Sequence, residues 1–208
     1  NLKENDGNQS QITNSHSQYR YNRMEELLEE SQKINPEKAV DILRNKEGLD
    51  NLPLGFGNEK ALNQLLAHHG IVFKPEQRLV WVSSNPYQLG EFVCYDLNEI
   101  FKNRSSKDSI VSLEQENLNI PKDPFLETKE YKNYERFRIE DRKAEVFLEK
   151  KETMPVSFVE NYQSLNPDFW EVYYKVGLSF YNEKKYKLAQ RQFEKALTKE
   201  ITTLPERE

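Results

Sequence analysis

The sequence predicts an α+β fold: helices plus a short antiparallel β-meander, followed by an all-α region. Three observations predict it. Apolar residues recur at helical spacing on both sides of the middle third. Within that third the period changes to that of strands around Pro and Gly turns. Beyond residue 127 no Pro or Gly interrupts a densely charged run of about two dozen residues.

The first helix is expected from about Tyr19, after a polar segment, 1–18, that reads as a flexible loop or tail. Tyr21, Met24, Leu27 and Leu28 form its apolar side, with Glu25, Glu26, Glu29 and Glu30 between them. Asn35 is a cap for a second helix, Pro36 takes its first position, and Glu37 places negative charge in its first turn. Ala39, Val40, Ile42 and Leu43 are its expected buried side, and it stops by Gly48. Pro53, Gly55 and Gly57 make 49–58 a loop.

Strand period then takes over. Residues 65–73 are nearly continuously apolar apart from His68, His69 and Gly70; Lys74-Pro75-Glu76-Gln77 is a tight turn; Leu79-Val80-Trp81-Val82 is a second strand. Asn85-Pro86 and Gly90 mark a connection, and Phe92, Cys94 and Tyr95 belong to a third strand within 91–97. From Asn98 the composition turns to Ser, Asn, Lys and Glu, so 102–123 reads as a linker. Residues 127–152 read as a long solvated helix, packed along one edge by Tyr134, Phe137, Ala144 and Phe147. Pro155 opens another helix with Phe158, Val159, Tyr162 and Leu165.

Composition excludes several classes of function. The chain has 208 residues, with 30 basic and 35 acidic side chains and a net charge of -5. Its pI near 5.5 argues against a general nucleic-acid binder, and no apolar run approaches the roughly 20 residues a membrane span needs. The aromatic content of 12% is too high for a disordered chain. One cysteine, Cys94, excludes an internal disulfide framework and a cysteine-rich zinc site. No cofactor or metal is expected.

Among residue types that carry chemistry, Cys94 reads as a buried, unreactive thiol, because nothing adjacent supplies an electropositive setting. Gly55-Phe56-Gly57 lacks the strand, helix and Lys of a phosphate loop and reads as a turn. On a regular strand His68 and His69 would point to opposite faces, so they do not chelate one metal together. Each is either a structural residue or a substrate contact. In Tyr19-Arg20-Tyr21-Asn22-Arg23 the two arginines share a helix face. They read as structural ion pairs or as a carboxylate clamp.

Two resemblances add to this reading. Tyr173, Val176, Gly177 and Phe180 in one helix, with Tyr186, Ala189, Phe193, Ala196 and Leu197 in the next, resemble one tetratricopeptide repeat over 167–198. Ile201 stands where the repeat's closing proline belongs. The run Tyr19 to Leu28, then Ala67 to Pro75, Leu79 to Val82, Asn85-Pro86-Tyr87 and Phe92 to Leu97, resembles the acyl-coenzyme A:6-aminopenicillanate acyltransferase group, related to the choloylglycine hydrolases. This likeness covers about 19–101.

The second resemblance implies the C-terminal part of an αββα sandwich of the N-terminal-nucleophile type. It implies hydrolysis or transfer of amide-linked acyl groups by a cysteine exposed by autocleavage. Residue 1 is Asn, so that cysteine is expected upstream, in a catalytic portion of the same precursor. Arg20 matches the hydrolases' active-site arginine, with Tyr19 where they carry Ser. His68 and His69 are the expected substrate contacts. The helical extension, 124–208, is expected to pack on the catalytic body or to bind a protein partner. The compartment stays open; an upstream signal peptide, once removed, would place the protein outside the cytoplasm.

Overall fold

In a computed structural model of the chain, residues 15–31, 33–66, 69–102 and 112–201 are described. Ser15 accepts from the Gln18 amide at 3.1 Å and starts α1 (His16–Glu29), earlier than the polar composition suggests. Asn35 accepts from the Lys38 amide at 2.8 Å and caps α2 (Pro36–Leu43), with Pro36 in the first turn. The strands are β1 (Ile71–Lys74), β2 (Leu79–Ser83) and β3 (Phe92–Asp96), and they pair antiparallel in that order. A short α3 (Leu97–Ile100) follows. Thr128 caps α4 (Lys129–Glu149); α5 (Val156–Leu165), α6 (Trp170–Asn182) and α7 (Tyr186–Leu197) complete the chain. The fold is therefore mixed α+β and mostly helical, with seven helices and one small sheet among the described residues.

The register sorts the sheet into two faces. Val72, Trp81 and Cys94 stand side by side, as do Ile71, Val82 and Val93 in the next row, and Phe73, Val80 and Tyr95 in the one after. Because side chains alternate, the first row faces one way and the other two face the opposite way. The first face forms a core with Val40 of α2, Phe92 and Ile120, flanked by Ala39 and Leu43. The second face is also apolar, yet none of its residues belongs to either hydrophobic core.

The helical core gathers Tyr134, Phe137 and Ala144 of α4, Tyr162 and Leu165 of α5, and Trp170, Val172 and Val176 of α6. The stripe expected on the long helix is the one buried. Each large side chain in it contributes about 1.5–3 kcal/mol. Leu65 and Leu89 also enter this core, so the helices pack onto the segment that precedes the sheet and onto the β2–β3 connection. Asn166 strengthens the join: its amide accepts from the Phe56 N–H at 3.0 Å and donates to the Phe56 carbonyl at 2.8 Å. Gly55 has φ +77°, and a Cβ there would run into the backbone of Phe169.

Two expectations meet a different arrangement. Residues 112–123, read as linker, run along β3: Tyr95 bridges Glu114, Phe92 bridges Ile120, and Ile120 is buried. The first strand begins only at Ile71, and Leu65, at φ +53°, is outside the strand conformation expected from 65 onward. His69 thus precedes the sheet, exposed, and the opposite-faces relation of a strand does not govern it.

Candidate functional site

The candidate arginine lies on the second turn of α1. Arg20 is half-buried; its Nη1 donates to the Glu59 carbonyl and its Nη2 to Ser17 Oγ at 3.3 Å. One turn earlier, His16 Nδ1 lies 2.6 Å from Glu59 Oε2. The His16 Nε2 atom is buried and has no hydrogen-bond partner. The helix start and the 57–60 turn are thus joined at Glu59 through both its backbone and its carboxylate. Lys60 extends the cluster, 2.6 Å from Glu200 and 4.7 Å from the centre of the Tyr19 ring. Tyr19 accepts from the Leu49 amide at 3.1 Å. Burial pushes its phenol pKa up, with the Leu49 hydrogen bond opposing.

Glu59 also borders a cleft of about 360 Å³ between the 57–66 segment and the helices. Tyr134, Phe137 and Phe169 form its aromatic wall, and Arg138, Arg142, Asp141 and Glu171 its polar one. Charges of both signs beside aromatic rings can hold an amphipathic ligand.

Arg23 has a different part from Arg20. It is fully buried. Its Nε donates to Asn45 Oδ1 at 3.2 Å, its Nη1 to Glu26 Oε2 at 2.8 Å and its Nη2 to Asn51 Oδ1 at 2.7 Å. This pattern, with Glu47 Oε2 a further 3.7 Å from Nη2, matches the structural ion pair expected from its spacing, and full burial keeps the guanidinium from a ligand. The other expected contacts separate. His68 lies outside the described residues. His69 makes no hydrogen bond or ion pair with another described residue. The structure therefore brings Arg20 to Glu59 and His16, and does not tie His69 to Arg20.

Cys94 is buried in the sheet core, and burial, with Asp96 adding to it, pushes its thiol pKa up. A nucleophile needs the opposite shift. No group of three or more His, Cys, Asp or Glu side chains among the described residues is placed to hold a metal. No described helix is long and apolar enough to cross a membrane.

Sequence reasoning missed His16 and Glu59. They lie 43 positions apart, and no local pattern couples them. No family model matches the chain, nor does any curated protein or solved structure.

Proposed function

We propose that the chain is the C-terminal portion of an amide-bond acyl hydrolase or acyltransferase of the N-terminal-nucleophile type, its catalytic Cys lying upstream. The observation that carries this reading is the sheet's second face. Ile71 is 51% and Phe73 62% exposed, Val82, Val93 and Tyr95 are half-buried, and Val80 between Phe73 and Tyr95 is buried. One face of the sheet has α2 against it; the other offers apolar side chains in two adjacent rows. Sheets of this kind pack face to face with a second sheet, about 10 Å away. Helix, sheet and an open apolar face make up half of an αββα sandwich. The ordered resemblance over 19–101 supplies the identity of the other half: an upstream portion with the nucleophile.

In this reading Arg20 contacts an amide-linked acyl substrate, with the cleft beside Glu59 open to its larger part. The helical extension buttresses the 54–66 segment, through Asn166 and Gly55, and so holds Glu59 in place. The test is turnover of a panel of amide-linked acyl compounds by the product of the native gene and by the 208-residue chain. We expect turnover only with the upstream portion, and a lower kcat/KM for Arg20→Ala. Turnover by this chain alone would contradict the reading.

A second reading is a helical-repeat interaction module, favoured by the close α6–α7 pair at Gly177 and Phe193. Tyr181, Tyr186 and Leu188 are exposed on that pair. Substituting these three by Ser would abolish partner binding under this reading. Retained binding would contradict it.

A further inference from the structure

Lys46 follows the end of α2 and lines a cleft of about 280 Å³ with Asp41, Arg44, Glu47, Asp123 and Pro124. Its side chain is only 20% exposed, and that of Asp123 only 15%. The ammonium lies 3.0 Å from the Arg44 carbonyl oxygen, 3.5 Å from Asp123 Oδ2 and 4.5 Å from the centre of the Phe125 ring. The Arg44 guanidinium is buried beside it, donating to the carbonyls of Gln88, Gly90 and Pro121. Lys46, ion-paired with Asp123, thus lines the same cleft as the buried Arg44.

We propose that Lys46 is an imine-forming amine, and that its cleft takes a small neutral aldehyde or ketone. A desolvated lysine beside a second cation is the setting in which an amine becomes a nucleophile toward carbonyl carbon. Burial pushes the Lys46 pKa down and the Arg44 charge adds to this, against Asp123 and Glu47. Asp123 is placed to move the proton. It takes one from the ammonium, and the free amine attacks the carbonyl carbon. The C–N bond forms, a proton passes from nitrogen to oxygen, and a carbinolamine results. Asp123 then returns its proton to the hydroxyl, which leaves as water, and the nitrogen lone pair closes the iminium. No oxidant or reductant enters this sequence. Asp41 and Glu47 stand at the cleft and disfavour an anionic carbonyl compound such as an α-keto acid. The assignment is independent of the proposed acyl chemistry, and neither test bears on the other.

Propionaldehyde with sodium cyanoborohydride at neutral pH, followed by peptide mapping, tests it in the intact chain. Each unit by which the pKa falls leaves ten times more free amine. Lys46 is therefore expected to label faster than Lys122 and Lys143, whose side chains are 61% and 57% exposed. Glyoxylate is expected to label it more slowly than propionaldehyde. Asp123→Asn keeps an oxygen for the Phe125 amide, which Asp123 holds at 2.8 Å, but removes the charge that favours the ammonium. In that variant the pH at which Lys46 labelling begins is expected to fall. Labelling of Lys46 no faster than of the two exposed lysines would overturn the proposal. An onset unmoved in Asp123→Asn would overturn the part given to Asp123.

Discussion

The ring of Phe193 occupies the space that a side chain at position 177 would need. A Cβ on Gly177 would lie 2.5 Å from Phe193 Cε1 and 2.7 Å from Cδ1. Both atoms belong to a rigid ring, and the ring itself packs on Tyr174 at 5.8 Å. Two effects oppose each other in Gly177→Ala. Helix propensity favours Ala by about 1 kcal/mol, while overpacking costs about 1–3 kcal/mol. The contact is short enough for overpacking to win, so the urea midpoint is expected to fall. Combining Gly177→Ala with Phe193→Leu is expected to recover part of the loss, measured as a double-mutant cycle.

Arg23 is the buried charge that α1 is built around. Arg23→Met leaves the amide oxygens of Asn45 and Asn51 without a donor and removes the partner of Glu26. The expected loss is about 3 kcal/mol, the low end for breaking a buried pair, because Glu26 and Glu47 can turn toward water. Arg23→Lys is expected to rescue little, since one ammonium cannot reach three acceptors in a fork. Urea unfolding of both variants checks this.

Alkaline pH acts on the helical core. Burial pushes the Tyr134 phenol well above its ordinary 10.0. Burial, with Asp141 adding charge and a hydrogen bond, does the same to Tyr162. Burial opposes the Lys175 charge, but its bond to Asp141 and the charges of Asp141, Glu171 and Glu145 raise its pKa above 10.5. A raised folded pKa means that the unfolded state loses its proton first, so the stabilisation is complete below the unfolded value and declines above it. Stability is therefore expected to fall from about pH 10 upward. Lys46 works in the opposite sense below that range, since its folded pKa is lowered. Tyr134→Phe is expected to flatten the alkaline decline, followed by thermal unfolding between neutral pH and pH 11.

Much of this fold could be read from local pattern. Asn35-Pro36 caps α2 as its chemistry demands. Phe92 and Cys94 alternate with half-buried neighbours on β3, and Tyr134, Phe137 and Ala144 mark the buried edge of α4. What was not legible depends on contacts distant in sequence. Arg44 reaches carbonyls at Gln88, Gly90 and Pro121, and a backbone oxygen has no sequence signature. Residues 112–123 are polar, yet Ile120 enters the sheet core once paired with Phe92. Of the site, Arg20 could be singled out by its place in the α1 run. Its partner Glu59 could not, because the 55–60 turn is held by contacts with Asn166 and Phe169, more than a hundred positions away.

The exposed sheet face gives a prediction that separates the isolated chain from the assembled protein. Ile71→Thr and Phe73→Thr keep β-propensity and remove apolar surface. In this chain alone both are expected to change stability by no more than about 0.5 kcal/mol and to reduce binding of a hydrophobic dye. In the product of the native gene the same pair is expected to lower the melting temperature, because the second sheet would lose its contact. Equal effects in the two settings would speak against a covering layer.

The central claim is that a nucleophile-bearing portion lies upstream and packs on this sheet. Intact mass with N-terminal sequencing of the protein purified from its native gene tests that most directly. The account predicts a co-purifying upstream polypeptide whose mature N-terminus is Cys. A gene product with no such portion, beginning near Asn1 with a mass of 24.7 kDa, would contradict it.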